Sequence, residues 1–282
     1  MTAILALSAA AIYGTADFLG GVAARRTSAL AVTVLAHVVG LALLGAALMV
    51  LPAAHPTSAD LAFGAVAGTL GGVGLILFYR ALASGAMSVV APVAALFGAA
   101  LPVTVGLGLG EQLSLPALVG IGVAVAAVGL VSREEPVGLD RAPRRVSQHP
   151  LVLAVLAGVA FGGFFVMLSR TDAAAGLWPL LAARLASIAL LGGFSLVTGR
   201  SLRPTPGSRR LIVAAGAGDM VANVLYLLAV RRGLVSLVAV IVALYPAATV
   251  LLAQVVLGER LRRVQVAGLA LAAGAAVLLA LA

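Results

Sequence analysis

Five ionisable side chains lie inside long apolar stretches of the sequence: Asp17, His37, Arg80, Arg184 and Asp219. A charged group in a hydrocarbon environment is costly, so such residues are rare and usually serve an ion or solute pathway. Arg80 lies near the end of its stretch, from which its guanidinium can reach the membrane interface, and this favours a structural role. The other four are candidates for binding a solute or a coupling ion.

Asp219 lies near the middle of its apolar stretch, and Asn223 follows one helical turn later on the same face. Arg184 lies within the preceding stretch. A buried charge is cheaper with an opposite charge beside it than alone, so Arg184 and Asp219 are candidates for a mutual ion pair. The alternative is direct transport chemistry, with a coupling ion on Asp219 and a solute on Arg184 and Asn223. The two roles are compatible, because a solute can compete for one partner.

Asp17 is one to two turns from the end of the first apolar stretch, and His37 is about two turns into the second. A carboxyl group in a low-dielectric site can exchange a proton near neutral pH, and an imidazole titrates there without perturbation. We therefore predict ion coupling at Asp17, His37 and Asp219. The alternatives are an interfacial ion pair of Asp17 with Arg25 or Arg26, and a hydrogen bond between helices for His37.

The elements that carry these residues follow from a composition that is 63% hydrophobic and 10% charged, with a mean hydropathy of +1.20. Soluble proteins are nearer half apolar and a quarter charged. Ten stretches approach the roughly 20 apolar residues that a helix needs to cross a bilayer. They lie at 2–22, 29–51, 60–83, 86–109, 114–132, 151–170, 176–198, 210–230, 234–257 and 263–281. The sequence predicts an all-α membrane protein with ten transmembrane helices.

The net charge of +9 does not indicate a nucleic-acid partner, because the arginines lie singly or in pairs at the ends of the stretches, where lipid headgroups lie. Fourteen arginines fall in the loops on one side of the predicted membrane and three on the other. The excess of positive charge marks the cytoplasmic side, which predicts that both termini lie outside. The absence of cysteine excludes thiolate metal sites, and no nucleotide or cofactor motif occurs, so we expect neither metal nor cofactor.

The sequence repeats itself with an offset of 148 residues. Residues 79–130 match residues 227–278 without a gap at 17 of 52 positions, including the pairs Gly110-Glu111 and Gly258-Glu259. Such a match indicates a duplication. We predict a first repeat at 1–132, a polar linker at 133–150 and a second repeat at 151–282. Because each unit has five helices, an odd number, the second enters the membrane upside down, as in many inverted-topology carriers.

Two sets of residues occupy positions matched by this offset. Tyr13, Phe97, Phe161 and Tyr245 are aromatic residues that can line a central cavity and contact an organic solute, although ordinary packing is the alternative. Glu111 and Glu259 each follow a glycine suited to a left-handed turn. We interpret both glutamates as caps at the N-terminus of the helix that follows them, rather than as transport residues.

The paired five-helix halves, the aromatic-glycine pairs Tyr13-Gly14 and Phe161-Gly162, and the repeated Gly-Glu resemble the EamA family of the drug/metabolite transporter superfamily. The resemblance covers essentially the whole chain. Asp17 also resembles the acidic residue in the first helix of small multidrug resistance proteins, which binds proton and cation alternately. The resemblance implies a carrier rather than an enzyme.

From these observations we expect a secondary active transporter of the bacterial inner membrane. It exports small organic metabolites or amino acids by alternating access, coupled to protons or another ion. An exporter of cationic drugs or polyamines is the alternative within transport. Outside transport, the alternatives are an intramembrane lipid-modifying enzyme and a lipid scramblase, for which the sequence carries few suitable polar clusters.

Overall fold

The computed structural model describes residues 1–51, 54–84, 87–131, 149–257 and 263–281. Most of the predicted linker lies outside these residues, as does the second Gly-Glu pair, Gly258-Glu259. Within the described ranges the regular structure is helical throughout. The chain is therefore all-α, as predicted.

Eleven α-helices and one 3-10 turn, Ala173–Ala175, make up the described residues. The helices are α1 (Thr2–Ala24), α2 (Ala29–Val50), α3 (Ser58–Ser84), α4 (Met87–Gly108), α5 (Leu115–Val131), α6 (His149–Ser169), α7 (Trp178–Val197), α8 (Ser208–Val230), α9 (Val235–Val242), α10 (Pro246–Leu257) and α11 (Arg263–Leu281).

In the part of the chain that the structure describes, eight helical segments are long and apolar enough to cross a membrane. They correspond to α1, α2, α3, α4, α6, α7, α8 and the pair α9–α10. Two further apolar helices are shorter, at Leu115–Ala127 and Arg263–Leu279. Each of the ten predicted stretches thus carries an apolar helix, and eight of these helices meet the length required of a span.

Local sequence explains where several helices begin. Thr57 and Asp60 form a reciprocal capping box at α3: the Asp60 amide donates to Thr57 Oγ1 (3.2 Å), and the Thr57 amide donates to Asp60 Oδ2 (2.9 Å). Ser28 caps α2 by accepting from the Ala31 amide at 3.2 Å. Ser114 does the same for α5 with the Ala117 amide at 3.3 Å.

The stretch predicted as one helix at 234–257 is broken into α9 and α10. Pro246 has no amide hydrogen, so the regular bond to the carbonyl four residues earlier cannot form. The Leu244 and Tyr245 amides instead donate to Ile241 and Val242, three residues earlier. This tighter turn separates α9 from α10, and Tyr245 lies at the break.

Helix packing follows the repeat. α1 packs mainly on α8, and its repeat equivalent α6 packs on α3, the equivalent of α8. α2 contacts α7, and α5 contacts α11, so each of these contacts pairs equivalent helices of the two halves. The halves are therefore interleaved around one core rather than placed side by side, and the residues at its centre come from both halves.

Close approach of these helices depends on glycine. A methyl group on Gly68 of α3 would overlap the backbone carbonyl of Ala183 in α7. The repeat-matched Gly216 of α8 has the same relation to Ala36 of α2. Small residues allow such backbone contacts between membrane helices.

We expect Gly68→Ala to lower the free energy of unfolding by about 1–3 kcal/mol, because the rigid backbone of α7 must move to admit the methyl group. Gly122→Ala is the matched control, since no atom lies within 4 Å of a methyl group at that exposed position. Thermal denaturation of the purified variants measures both effects. Equal melting temperatures for Gly68→Ala and the wild type would contradict the tight α3–α7 contact.

Candidate functional site

A cavity lies at the centre of the helix bundle, with a free volume of about 60 Å³. Its walls come from helices of both halves. Eight of the nine predicted site residues line it: Tyr13, Asp17, His37, Phe161, Arg184, Asp219, Asn223 and Tyr245. The volume corresponds to a few water molecules and is far below the usual 300–1,000 Å³ of drug-sized sites.

Arg184 and Asp219 form an ion pair inside the bundle. Arg184 Nη2 donates to Asp219 Oδ2, and the two side chains are only 7% and 15% exposed. The sequence left two roles open for Arg184 and Asp219, and the structure contains the first of them, the mutual ion pair. Both residues still line the cavity, so the pair presents both a cation and an anion to a bound solute.

A hydrogen-bonded chain joins this pair to α1. The Tyr13 hydroxyl donates to Asn223 Oδ1 at 2.9 Å, and Asn223 Nδ2 donates to the backbone carbonyl of Asp219 at 2.6 Å. Both side chains are buried. The chain fixes the orientation of the Asn223 amide and ties α1 to α8 beside the ion pair.

Asp17 is the cavity carboxyl group that has no partner among the described residues. Its side chain is 8% exposed and faces the cavity, yet no residue in the described ranges donates a hydrogen bond to it or forms an ion pair with it. The alternative of a pair with Arg25 or Arg26 is therefore not formed. A buried carboxyl group with no protein partner is suited to bind a proton or a cationic group from the cavity.

His37 forms the interhelical hydrogen bond that was its alternative role. Its Nδ1 lies 2.8 Å from Ser187 Oγ, and that hydroxyl donates to the Arg184 carbonyl at 3.0 Å. Because the hydroxyl has one hydrogen, His37 Nδ1 must be the donor. His37 thus joins α2 to α7 one turn from Arg184, while its ring also lines the cavity.

The prediction that four matched aromatic residues face the cavity is wrong for Phe97. Its side chain is 38% exposed, because Ala94, Ala95, Gly98 and Ala99 form the cavity face of α4 and residue 97 points to another side. Tyr245 does line the cavity, since the break before Pro246 gives the second half a different helix geometry.

Two cavity residues that the sequence did not single out are Phe164 and Phe165. The Phe165 ring contacts Tyr13 edge to face, with centroids 6.1 Å apart. A signal for Phe165 was present, because the 148-residue offset pairs it with Asp17. Clusters of three His, Asp or Glu side chains suited to a metal ion are absent from the residues that the structure describes.

Glu111 is a helix cap, but of a different helix from the one predicted. Its carboxylate accepts from the Val235 amide at 2.7 Å, from the Ser236 amide at 3.1 Å and from the Ser236 hydroxyl. These groups begin α9 of the second half, not α5 that follows Glu111 in sequence. The first amides of α9 have no acceptor within their own helix, and the dipole of α9 favours a negative charge beside them. The start of α5 is already capped by Ser114.

We expect Glu111→Ala to lower the free energy of unfolding by about 1–2 kcal/mol, because the first amides of α9 lose their acceptor. Glu111→Gln keeps one acceptor oxygen and should lose less. Thermal denaturation compares the three proteins. If Glu111→Ala melts with the wild type, the contact between the halves does not stabilise the fold.

Comparison with known proteins identifies the architecture. Residues 1–133 and 149–281 each match the EamA-like transporter family. The chain belongs to this family. It is therefore a multi-pass membrane protein built from two EamA-like repeats, and the family is one of transporters rather than enzymes.

Solved structures match the fold of this EamA-like protein. One crystal structure of a protein superposes with a TM-score of 0.76 over 99% of this chain and 96% of its own, at 20% sequence identity. The likeness establishes a shared fold. No curated protein matches the sequence significantly.

Loop contacts at one end of the bundle join the two EamA-like repeats. Asp60 of the first repeat accepts from the Asp172 amide of the second at 2.8 Å. The His55 amide donates to the Ala174 carbonyl at 2.9 Å. Arg231 Nη1 donates to the Gly176 carbonyl at 2.8 Å and so connects the same loop to the end of α8.

Proposed function

We propose that the protein is a secondary active carrier that moves a small organic solute by alternating access, coupled to protons. The observation that supports this most is the buried, unpartnered carboxyl group of Asp17 beside the internally paired Arg184 and Asp219. A carboxyl group that has no fixed partner can hold a proton in one step and a solute cation in another. The Arg184–Asp219 pair gives the cavity polar groups but no net charge.

The architecture supports alternating access. Two interleaved repeats of five predicted spans each, in opposite orientations, are able to exchange conformations so that the cavity opens first to one side and then to the other. The contacts of Asp60 and Arg231 at one end are suited to a gate. The arginine distribution favours a location of this end outside the cytoplasm, and export across a bacterial inner membrane is the direction we propose.

Export of cationic drugs or polyamines is the second candidate, and the unpaired Asp17 favours a positively charged solute. The free volume of about 60 Å³ argues against a drug-sized molecule in this conformation. A small metabolite or an amino acid requires less expansion of the cavity than a drug-sized molecule does. The amino group of an amino acid supplies the cation that Asp17 requires.

Reconstitution into proteoliposomes tests the proposal. Vesicles that contain a pH-sensitive dye are exposed to single amino acids or small amines, with and without an imposed pH gradient. We expect at least one solute to move protons in a protein-dependent way and to be driven by the gradient. Solute flux that is equal with and without the gradient, and that moves no protons, would contradict the coupling.

A further inference from the structure

The two repeats have divergent side chains at the positions that face the central cavity. Six pairs of residues related by the 148-residue offset line it on both sides, and the members of four pairs differ in polarity: Tyr13 and Phe161, Asp17 and Phe165, Asp219 and Gly71, Asn223 and Leu75. The other two pairs, Ala94 with Val242 and Ala95 with Ala243, are apolar in both repeats. The two repeats thus place equivalent backbone positions at the cavity but carry side chains of different polarity there.

The polar members all lie on one side of the cavity. Tyr13 and Asp17 belong to α1, whereas Asp219 and Asn223 belong to α8, and these two helices pack directly on each other. The hydrogen bond from Tyr13 to Asn223 joins them at 2.9 Å. Since Arg184 neutralises Asp219, this polar wall carries one uncompensated negative charge whenever Asp17 is deprotonated.

The apolar members form the facing wall, on α3 and α6, which also pack on each other. Gly71 leaves room for an aromatic ring: a methyl group there would lie 2.9 Å from Phe164 Cδ2. Phe78 supports Phe161 from behind, with ring centroids 5.5 Å apart and an edge-to-face angle. The apolar wall therefore presents aromatic surface and offers no charged partner.

We propose that the cavity selects a compact amphipathic amine, whose protonated nitrogen lies at Asp17 and whose apolar body packs on the wall of Phe161, Phe164 and Phe165. This substrate class rests on the proposed transport function, and it narrows that function to one kind of solute. A cation with no apolar body leaves the aromatic wall without a contact. An apolar anion can pair with Arg184 only in competition with Asp219, and it lies in the same cavity as the Asp17 carboxyl group. The small free volume favours a compact body, for which the cavity must expand least.

Three probes of similar size separate these requirements: benzylamine, benzoate and putrescine. Binding is measured on purified protein in lipid nanodiscs at equal pH on both sides, so the result does not depend on transport. We expect benzylamine to bind at least about 10-fold more tightly than either other probe, the discrimination that one good contact supplies.

Two variants test the separate contributions of the polar wall and the apolar wall to benzylamine binding. Asp17→Asn should weaken benzylamine at least about 10-fold and leave benzoate unchanged or tighter. Leu75→Asn installs in the first repeat the residue of the matched position in the second, and should weaken benzylamine while sparing putrescine. Phe97→Leu is the control, because this exposed aromatic residue lies outside the cavity; benzylamine affinity should not change. Size-exclusion chromatography identifies any variant that does not fold.

Equal affinity for the three probes, or no binding of any of them to the wild type, would overturn the amphipathic-amine assignment. A Leu75→Asn protein that folds and keeps full benzylamine affinity would overturn the role of the apolar wall. Selective benzylamine binding without gradient-driven flux would support the selectivity and contradict the proposed transport function. The experiments therefore distinguish a failure of the amphipathic-amine assignment from a failure of the proposed transport function.

Discussion

Asp219→Asn is expected to lower the free energy of unfolding by about 3–5 kcal/mol, because it leaves the buried guanidinium of Arg184 without its counter-charge. The Arg184 side chain is only 7% exposed, so bulk water compensates poorly for the lost carboxylate. Protein yield and melting temperature should both fall. Thermal denaturation in detergent, measured by size-exclusion chromatography after heating, gives the shift.

The double variant Asp219→Asn with Arg184→Leu separates stability from activity. Removal of both charges leaves no unpaired ion, so stability should recover to within about 1–2 kcal/mol of the wild type. Flux should be absent, since the cavity has lost the charged pair of Arg184 and Asp219. If the single variant is as stable as the wild type, the ion pair does not stabilise the fold and Asp219 is free to carry the coupling ion.

The ion pair illustrates what the sequence can predict. Two opposite charges inside adjacent apolar stretches have few alternatives to each other, because the cost of an unpaired charge in hydrocarbon is high. The same argument identified Asp17 as a candidate site residue. Asp17 does line the cavity, but it does not form the alternative ion pair with Arg25 or Arg26. Composition and length alone predicted apolar helices, since the bilayer imposes both.

What the sequence did not predict depends on contacts between the halves. Glu111 was assigned to the next helix in the chain, whereas the amides that it binds begin α9 of the other repeat. Phe97 and Tyr245 share a repeat position, but a proline one residue after Tyr245 breaks the helix in only one of the two halves. Equal positions in a duplication do not imply equal side-chain directions.

Asp17→Asn is expected to abolish gradient-driven flux, with a loss of about 100-fold or more, while it leaves the fold intact. Loss of a positioned proton-transfer group costs roughly 10²–10⁴-fold in rate where that group is essential. No described residue forms a hydrogen bond or ion pair with the Asp17 carboxylate, so the amide removes no structural contact. The melting temperature should therefore match that of the wild type, unlike that of Asp219→Asn.

Asp17→Glu is the control that keeps the carboxyl group and adds one methylene. It should recover part of the flux, whereas Asp17→Asn should not, and flux measured at several pH values should show a shifted profile for the glutamate variant. The contrast between the two aspartates then assigns their roles, because Asp219→Asn affects stability first and Asp17→Asn affects coupling alone. A folded Asp17→Asn protein with normal gradient-driven flux would assign proton coupling to another group, and the paired Asp219 is the remaining carboxylate of the cavity.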